Sequence, residues 1–385
     1  MGIEIPRFFP RFQKAAFIDR PNRFLLRCSL ENRIITAHVP NPGRMEELLL
    51  PGRTVYLTRA EAATSGAPRK TEFTAVAIMK GSSPVMLHTH RTNDVARYLI
   101  EAGQVPDLQG AKVIAAEVTF DSSRFDFLLE HEERKVVLEV KSCTLFGEKI
   151  AMFPDAETAR GTKHLRELAA LSKRGYRTVV LFLVHYQKAK FFMPCHHTDL
   201  TFARTFLELK NNVRFIPLSI GWDEELDIIL PARVLTTPWQ LIERESQDRG
   251  SYLIILKLPY DAKIEIGKLK HQLYKAGYYV YVGSSMANLS RRIERHRKIR
   301  KTVHWHLDTF RMYTRFIADL PIRSSKRLEC ELSRAMLSVA QSCIPDFGSS
   351  DCNCQGHLFW FSRNPLLLPE FINVLQYYRM DDLMQ

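Results

Sequence analysis

Two stretches of the chain carry side chains suited to phosphate chemistry. From residue 122 to 145 it reads SSRFDFLLEHEERKVVLEVKSCTL, with Asp126 in one strand-like segment and Glu139-Val140-Lys141 in the next. Residues two apart on a strand share a face, so Glu139 and Lys141 project together, and the hairpin-like spacing lets Asp126 come alongside. Two carboxylates so placed offer hard oxygen ligands to Mg²⁺ or Mn²⁺. A lysine beside such an ion can orient or deprotonate water and steady phosphate charge, which is phosphodiester-hydrolysis chemistry. Glu-x-Lys alone is also the pattern of a solvated strand face with a cross-strand ion pair.

The second stretch runs from Arg291 to Lys301, where seven of eleven residues are Lys or Arg. On a helix over 289–301, Arg291, Arg292, Arg295 and Lys298 fall on one side, with Ile293 anchored in the core. Like charges this close repel unless something anionic sits opposite. With Tyr279, Tyr281 and Trp305 near, the run suits a phosphate-tracking surface more than a merely solvated basic face. A helix predicted over 155–173 packs Leu165, Leu168, Ala169 and Leu171 inward and presents Arg160, Lys163 and Arg166 either to solvent or to phosphate. His304, His306, Cys352, Cys354 and His357 have ligand chemistry and could supply zinc with four donors. Neither His-x-His nor Cys-x-Cys matches a Cys-x-x-Cys knuckle, so structural zinc is not expected and Cys352 is expected to pack.

The elements that must position these residues read in three groups. Short strands at 24–28, 33–38, 54–58 and 73–79, separated by PNPG, PG and SGAP turns, suggest a small barrel. A helix follows at 93–102 with Asn93 as its N-cap. Strands at 113–120, 125–130, 135–140 and 178–184, with the helix over 155–173 before the last, imply a parallel crossover. The polar stretch around 235–250 marks a boundary. Beyond it come strands at 251–258 and 278–283, the basic helix, and a helix over 326–340.

With 385 residues, 45% hydrophobic and 25% charged, the chain has room for two or three domains and is not a disordered or coiled-coil sequence. The net charge of +13, of which +8 falls from Gly250 onward, points to a polyanionic partner, DNA or RNA, rather than a membrane. No spanning apolar run and no secretory pattern are present, so a cytoplasmic protein with free thiols is expected.

The blocks VPNPGRM at 39–45, LLLPG at 48–52, RFDFLL at 124–129, LEVKSCTL at 138–145 and AMFPDAETARGTKHLREL at 151–168 resemble the sugar fermentation stimulation protein family. That resemblance implies an OB-like β-barrel over 1–90 and a PD-(D/E)XK nuclease-like α/β domain over 91–235, in a DNA-binding protein. It makes Asp126 and Glu139 metal ligands, Lys141 the water-positioning base, Glu101 a supporting acid with Glu117 as a second candidate, and Arg44 a nucleic-acid contact. After a linker at 236–249, residues 250–362 resemble an uncharacterised family of the GIY-YIG superfamily, an α+β fold, with 363–385 as a tail. Gly250-Ser251-Tyr252 and Tyr281-Val282-Gly283 take the places of the two name motifs. By that resemblance Tyr252 and Tyr281 flank the scissile phosphate, Arg292 steadies its charge, and Glu329 or Glu331 holds a metal ion. The function implied is a metal-dependent nuclease; the alternatives are a non-cleaving DNA-binding regulator and an RNA-directed protein.

Overall fold

A computed structural model describes residues 5–60, 71–267 and 269–384, so the turn expected at 65–68 lies outside the described residues. The chain forms two compact units, one of residues 1–195 and 201–239, the other of 196–200 and 240–385.

In the first unit, strands β1 (Gln13–Asn22), β2 (Leu25–Leu30), β3 (Arg33–His38), β4 (Thr54–Arg59), β5 (Phe73–Lys80) and β6 (Ser83–Met86) lie in the order β3-β2-β1-β4-β5-β6. Parallel pairing of Ala37 with Phe73 and His38 with Thr74 joins β3 to β5 and closes the first five strands into a barrel. Helix α1 (Thr92–Glu101) then leads to strands β7 (Lys112–Phe120), β8 (Ser123–His131) and β9 (Arg134–Cys143). Next come β10 (Leu145–Phe146), β11 (Ile150–Phe153), helix α2 (Ala159–Lys173), β12 (Arg177–Val184), β13 (Phe191–Pro194), helix α3 (Leu200–Glu208), β14 (Arg214–Trp222) and β15 (Ile228–Val234). The main sheet runs β15-β14-β12-β9-β8-β7, and β12 is parallel to both β9 and β14. Its centre, β12, is a nearly unbroken apolar run with Thr178 to Val184 all buried, as a strand covered on both faces must be.

The barrel and this sheet share one core: Tyr56, Val76 and Met86 pack in the same cluster as Val95 and Leu99 of α1 and Leu138 and Leu181 of the sheet. The PNPG loop is held to the sheet domain as well. Asp155 Oδ2 accepts the Met45 N–H at 3.3 Å, and a Cβ at Gly43 would stand 2.2 Å from that oxygen, so a larger residue there would have to push the Asp155 carboxylate off the loop. Asp155 therefore precedes α2 rather than starting it. The helix begins after Thr158, whose side chain caps the Gly161 N–H.

Helix α4 (Trp239–Glu245) lies in the stretch expected as a linker. The second unit adds β16 (Gly250–Leu258), β17 (Ala262–Ile266), β18 (Leu269–Tyr274), β19 (Gly277–Ser285), α5 (Leu289–Arg297), α6 (His306–Arg311), β20 (Arg315–Arg323), α7 (Glu329–Val339), β21 (Ser342–Ile344), β22 (Leu358–Phe361) and α8 (Pro369–Arg379). Five strands form the antiparallel sheet β20-β16-β19-β22-β21. Two expectations fail here. The basic helix stops at Arg297, because Lys298 is already extended, and residues 363–385 are no tail: Phe371, Ile372 and Leu375 of α8 are buried. No helix among the described residues is long and apolar enough to cross a membrane.

Candidate active sites

The acidic site forms where β8 and β9 part. Their register pairs Phe127 with Leu138, and the ladder ends there. One step on, the Asp126 side chain takes over from the backbone: its Oδ2 accepts the Val140 N–H at 2.7 Å, and its Oδ1 accepts Asn93 Nδ2 at 2.8 Å. Asn93 sits inside the first turn of α1 and is not its cap, which falls at Arg91. Glu139, 4% exposed, accepts His164 Nδ1 of α2 at 2.7 Å and the Lys141 ammonium on the same oxygen, Oε1. Its other oxygen, Oε2, is buried with no hydrogen-bond partner. His164 Nε2 in turn accepts Arg160 Nε at 3.3 Å, so the ring is the Nδ1–H tautomer.

The two carboxyls are pushed apart electrostatically. Burial, then the neighbouring Glu139 charge, raise the Asp126 pKa against its two hydrogen bonds. At Glu139 burial pulls upward too, but the His164 hydrogen bond and the Lys141 charge outweigh it and hold the carboxylate below its usual range.

Sequence reasoning placed two further acids here, and each forms an ion pair with an arginine. Glu101, at the far end of α1, pairs with Arg97 at 3.8 Å, and Glu117, at a positive-φ position in β7, pairs with Arg124 at 3.4 Å on the surface. Both carboxylates are exposed, and Glu117 stands opposite Asp126 in the β7–β8 register. The site gains Asn93 and His164. The one signal for them was type and place: a polar residue early in a helix, and a histidine on the sheet-facing side of another. Arg160, Lys163 and Arg166 are exposed along α2, and Arg44 is exposed in the PNPG loop. A cavity of about 830 Å³ between barrel and α1, with Arg7, Arg11, Arg59, Arg91 and Arg97 on its wall, was not anticipated, because these arginines are scattered along the sequence.

In the second unit Tyr252 of β16 and Tyr281 of β19 stand with ring centroids 6.3 Å apart. Tyr252 is paired across the ladder with Gly283, where a Cβ would meet the phenol ring at 2.5 Å. The glycine of the second motif is thus the space into which the first tyrosine lies. Tyr252 Oη is 3.0 Å from His296 Nε2 of α5. The two tyrosines, Arg292, His296 and Glu329 line a cavity of about 710 Å³. Arg292 stacks on Trp305, its guanidinium 4.4 Å from the ring centre. Glu329 accepts the Ser284 hydroxyl and lies 3.4 Å from His357 Nδ1; Glu331, two residues on, faces solvent, as helical spacing requires.

Burial raises both tyrosines, and for Tyr252 the neighbouring Tyr281 adds to it, while Arg292 opposes. Burial, reinforced by the Lys301 charge, lowers His296 to about 3. The ring is neutral at ordinary pH, so the phenol O–H donates to it. At Glu329 the His357 and Ser284 contacts outweigh burial and keep the carboxylate ionised.

Much of the basic run is spent internally. Arg295 bonds both oxygens of buried Asp308 at 3.0 Å, Lys301 reaches Asp308 at 2.8 Å, and Arg297 pairs with Asp319 at 2.7 Å. Arg295 is therefore a structural cation and no free phosphate contact. Arg291 and Lys298 are exposed, and no ion pair to either occurs among the described residues, although Lys298 has left the helix. Of the five candidate zinc ligands, Cys352, Cys354 and His357 converge. His306 lies apart and accepts the Gly348 N–H at 3.2 Å, and His304 lines the 710 Å³ cavity.

A closed barrel sharing its core with a mixed sheet, followed by a second α+β unit, defines a class of multidomain protein that the comparisons name. Residues 18–87 match the "SfsA N-terminal OB domain", 90–226 the "Sugar fermentation stimulation protein RE domain", and 251–380 the "Domain of unknown function DUF123", a GIY-YIG-like domain. A sugar fermentation stimulation protein homolog of Methanothermobacter thermautotrophicus is 36% identical over 59% of this chain and 93% of its own length. One of Moorella thermoacetica is 40% identical over 51% of this chain and 83% of its own. The solved structure of Pyrococcus furiosus SfsA in complex with Ca²⁺ is 26% identical, with a TM-score of 0.55 over 62% of this chain and 99% of that one. The chain belongs to the sugar fermentation stimulation protein family.

Proposed function

We propose that the chain binds nucleic acid, DNA in the first place, and hydrolyses its phosphodiester bonds at the Asp126–Glu139–Lys141 site with Mg²⁺ or Mn²⁺. The observation that carries this reading is the buried, partnerless Oε2 of an ionised Glu139 beside the Asp126 carboxyl, with a lysine within reach of both charges. An all-oxygen donor set suits hard cations, and the Pyrococcus furiosus relative was solved with one, Ca²⁺. Asp126 and Glu139 Oε2 would hold the ion, which when bound supplies Lewis acidity and an acidified water. His164 keeps Glu139 ionised and oriented through its Nδ1–H. Lys141 holds a positive charge over the same ground, where it positions water and opposes developing negative charge. Arg160, Lys163 and Arg166 on α2, with Arg44, are the phosphate contacts.

In the second unit, Arg292 and Glu329 are the groups for a second phosphate and its ion, with Tyr252 and Tyr281 flanking them. Two buried phenols with raised pKa values are poor bases alone, so Arg292 and a cation are needed to draw off their protons.

A second reading, binding without cutting, is favoured by the ion pairs that engage Glu101 with Arg97 and Glu117 with Arg124, which leave two carboxylates, Asp126 and Glu139, for the ion. A panel of double-stranded, single-stranded and branched DNA and of RNA, each with Mn²⁺, Mg²⁺ or chelator, separates the readings. The nuclease reading expects cleavage of DNA that chelator stops. Tight binding with no product in any metal supports the second reading, and cleavage confined to RNA makes the substrate RNA.

A further inference from the structure

Beyond the two phosphate sites, the second unit holds a cluster for which neither site has a use. Cys330, Cys352, Cys354 and His357 each turn one ligand atom inward, and the four atoms all lie within 4.8 Å of one another. Three come from the segment between β21 and β22, in the order Cys-x-Cys-x-x-His. The fourth, Cys330, comes from the first turn of α7, more than twenty positions earlier in the chain. That remote donor is what spacing alone conceals, since no knuckle motif contains it.

The geometry points to a tetrahedral Zn²⁺ site made by Cys330, Cys352, Cys354 and His357. Zinc bound to thiolate at about 2.3 Å and to imidazole at about 2.0 Å holds sulfur and nitrogen about 3.5 Å apart across the tetrahedral angle. Cys352 Sγ and His357 Nε2 already stand at 3.4 Å. None of the four cysteines in this part of the unit is in a disulfide, and His357 is buried at 1% exposure with its Nε2 toward the sulfurs. Three soft sulfurs and one imidazole nitrogen select Zn²⁺ over Mg²⁺ or Ca²⁺, which prefer oxygen. Binding replaces the thiol protons with the metal, so it releases up to three protons and no redox partner is required.

The outer face of the histidine adds a second argument. A zinc-bound imidazole commonly turns its remaining N–H to a carboxylate, which fixes the ring and strengthens the ligand. His357 Nδ1 lies 3.4 Å from Glu329 Oε1, and Glu329 is the residue immediately before Cys330. The zinc would thus clamp the start of α7 to the 346–357 segment and set the position of Glu329 in the neighbouring cavity. Cys343 stands outside the set, its Sγ 3.7 Å from the Ile344 carbonyl oxygen.

The test uses the full chain, purified in reductant and analysed for metal. One zinc per chain is expected, retained through gel filtration, with Co²⁺ substitution giving the intense visible bands of a tetrahedral site and near-ultraviolet thiolate charge transfer. Cys330→Ser and Cys352→Ser should each lower zinc affinity by about 100-fold or more, Glu329→Gln by about 10-fold, and Cys343→Ser not at all. Circular dichroism on each variant separates ligand loss from unfolding. If a ligand variant fails to fold, the cobalt spectrum of the wild type decides alone. Wild-type protein with only traces of zinc and an octahedral cobalt spectrum overturns the site, as does Cys330→Ser that folds and keeps its zinc. The metal content is read without any nuclease assay, so it stands or falls separately from the proposed cutting activity.

Discussion

Replacing Asp126 by Asn or by Ala separates its two roles, ligand and backbone partner. In the metal-free protein the carboxylate is half-buried beside Glu139 and accepts from Val140 N and Asn93 Nδ2. Asp126→Asn removes the repelling charge and keeps an oxygen for the Val140 N–H, while the Asn93 amide can turn its own oxygen to meet the new NH₂. Two charge-assisted hydrogen bonds become neutral ones, a loss of about 1 kcal/mol each that relief of burial and repulsion offsets, so net stability changes by about 1 kcal/mol or less. Asp126→Ala leaves both donors without a partner at about 1 to 3 kcal/mol apiece, a cost of roughly 2 to 5 kcal/mol after the same relief. Urea unfolding of the full chain, with and without Mn²⁺, reads both terms. Mn²⁺ at 100 times its dissociation constant should stabilise the wild type by about 2.7 kcal/mol and the Asn variant by close to nothing. Equal Mn²⁺ stabilisation in wild type and Asp126→Asn would refute the assignment. An Asn variant as unstable as the Ala variant would refute the account of the two hydrogen bonds.

Other expectations are independent of that site. Burial raises the Glu47 carboxyl to about 8; the folded protein holds this proton more tightly than the unfolded chain, so stability falls as pH rises from about 4.5 to 8. Glu47→Gln should flatten that loss, on the order of a few kcal/mol, in urea midpoints taken at pH 5 and pH 8. Arg291→Ala should weaken DNA binding and lower its salt slope by about 1. Arg295→Ala should instead destabilise the second unit by about 1 to 3 kcal/mol, because Asp308 loses a bidentate partner. Gly283→Ala sets a Cβ against the Tyr252 ring and should cost about 1 to 3 kcal/mol, seen as a lower unfolding midpoint.

What the sequence made legible follows its local periodicities. Glu139 and Lys141 share a face because strands alternate, and that needed no partner strand to be known. β3 spans 33–38 as expected. β1 escaped notice because its apolar residues form one short run, Ala15 to Ile18, in which only Ala15 and Phe17 are buried. Long-range partners were the main loss. His164 meets Glu139 across 25 positions, Asn93 meets Asp126 across 33, and Cys330 joins a Cys-x-Cys segment from another element. The basic run was legible as charge but not as pairing, since Asp308 and Asp319, which neutralise much of it, lie on later elements. Glu101 and Glu117 were acids on plausible elements, and the arginines that pair with them, Arg97 and Arg124, could not be read from spacing.

The central claim is that the Glu139 carboxylate and its neighbours cut nucleic acid with a bound cation. Its most direct test is the Mn²⁺-dependent cleavage rate of end-labelled DNA by the full chain, wild type against Glu139→Gln, with binding measured on the same substrate in chelator. The account predicts cutting by the wild type, a loss of at least about 100-fold in the variant, which lacks the charged ligand, and unchanged binding. Equal cutting by both proteins, or binding without cutting by both, would contradict it.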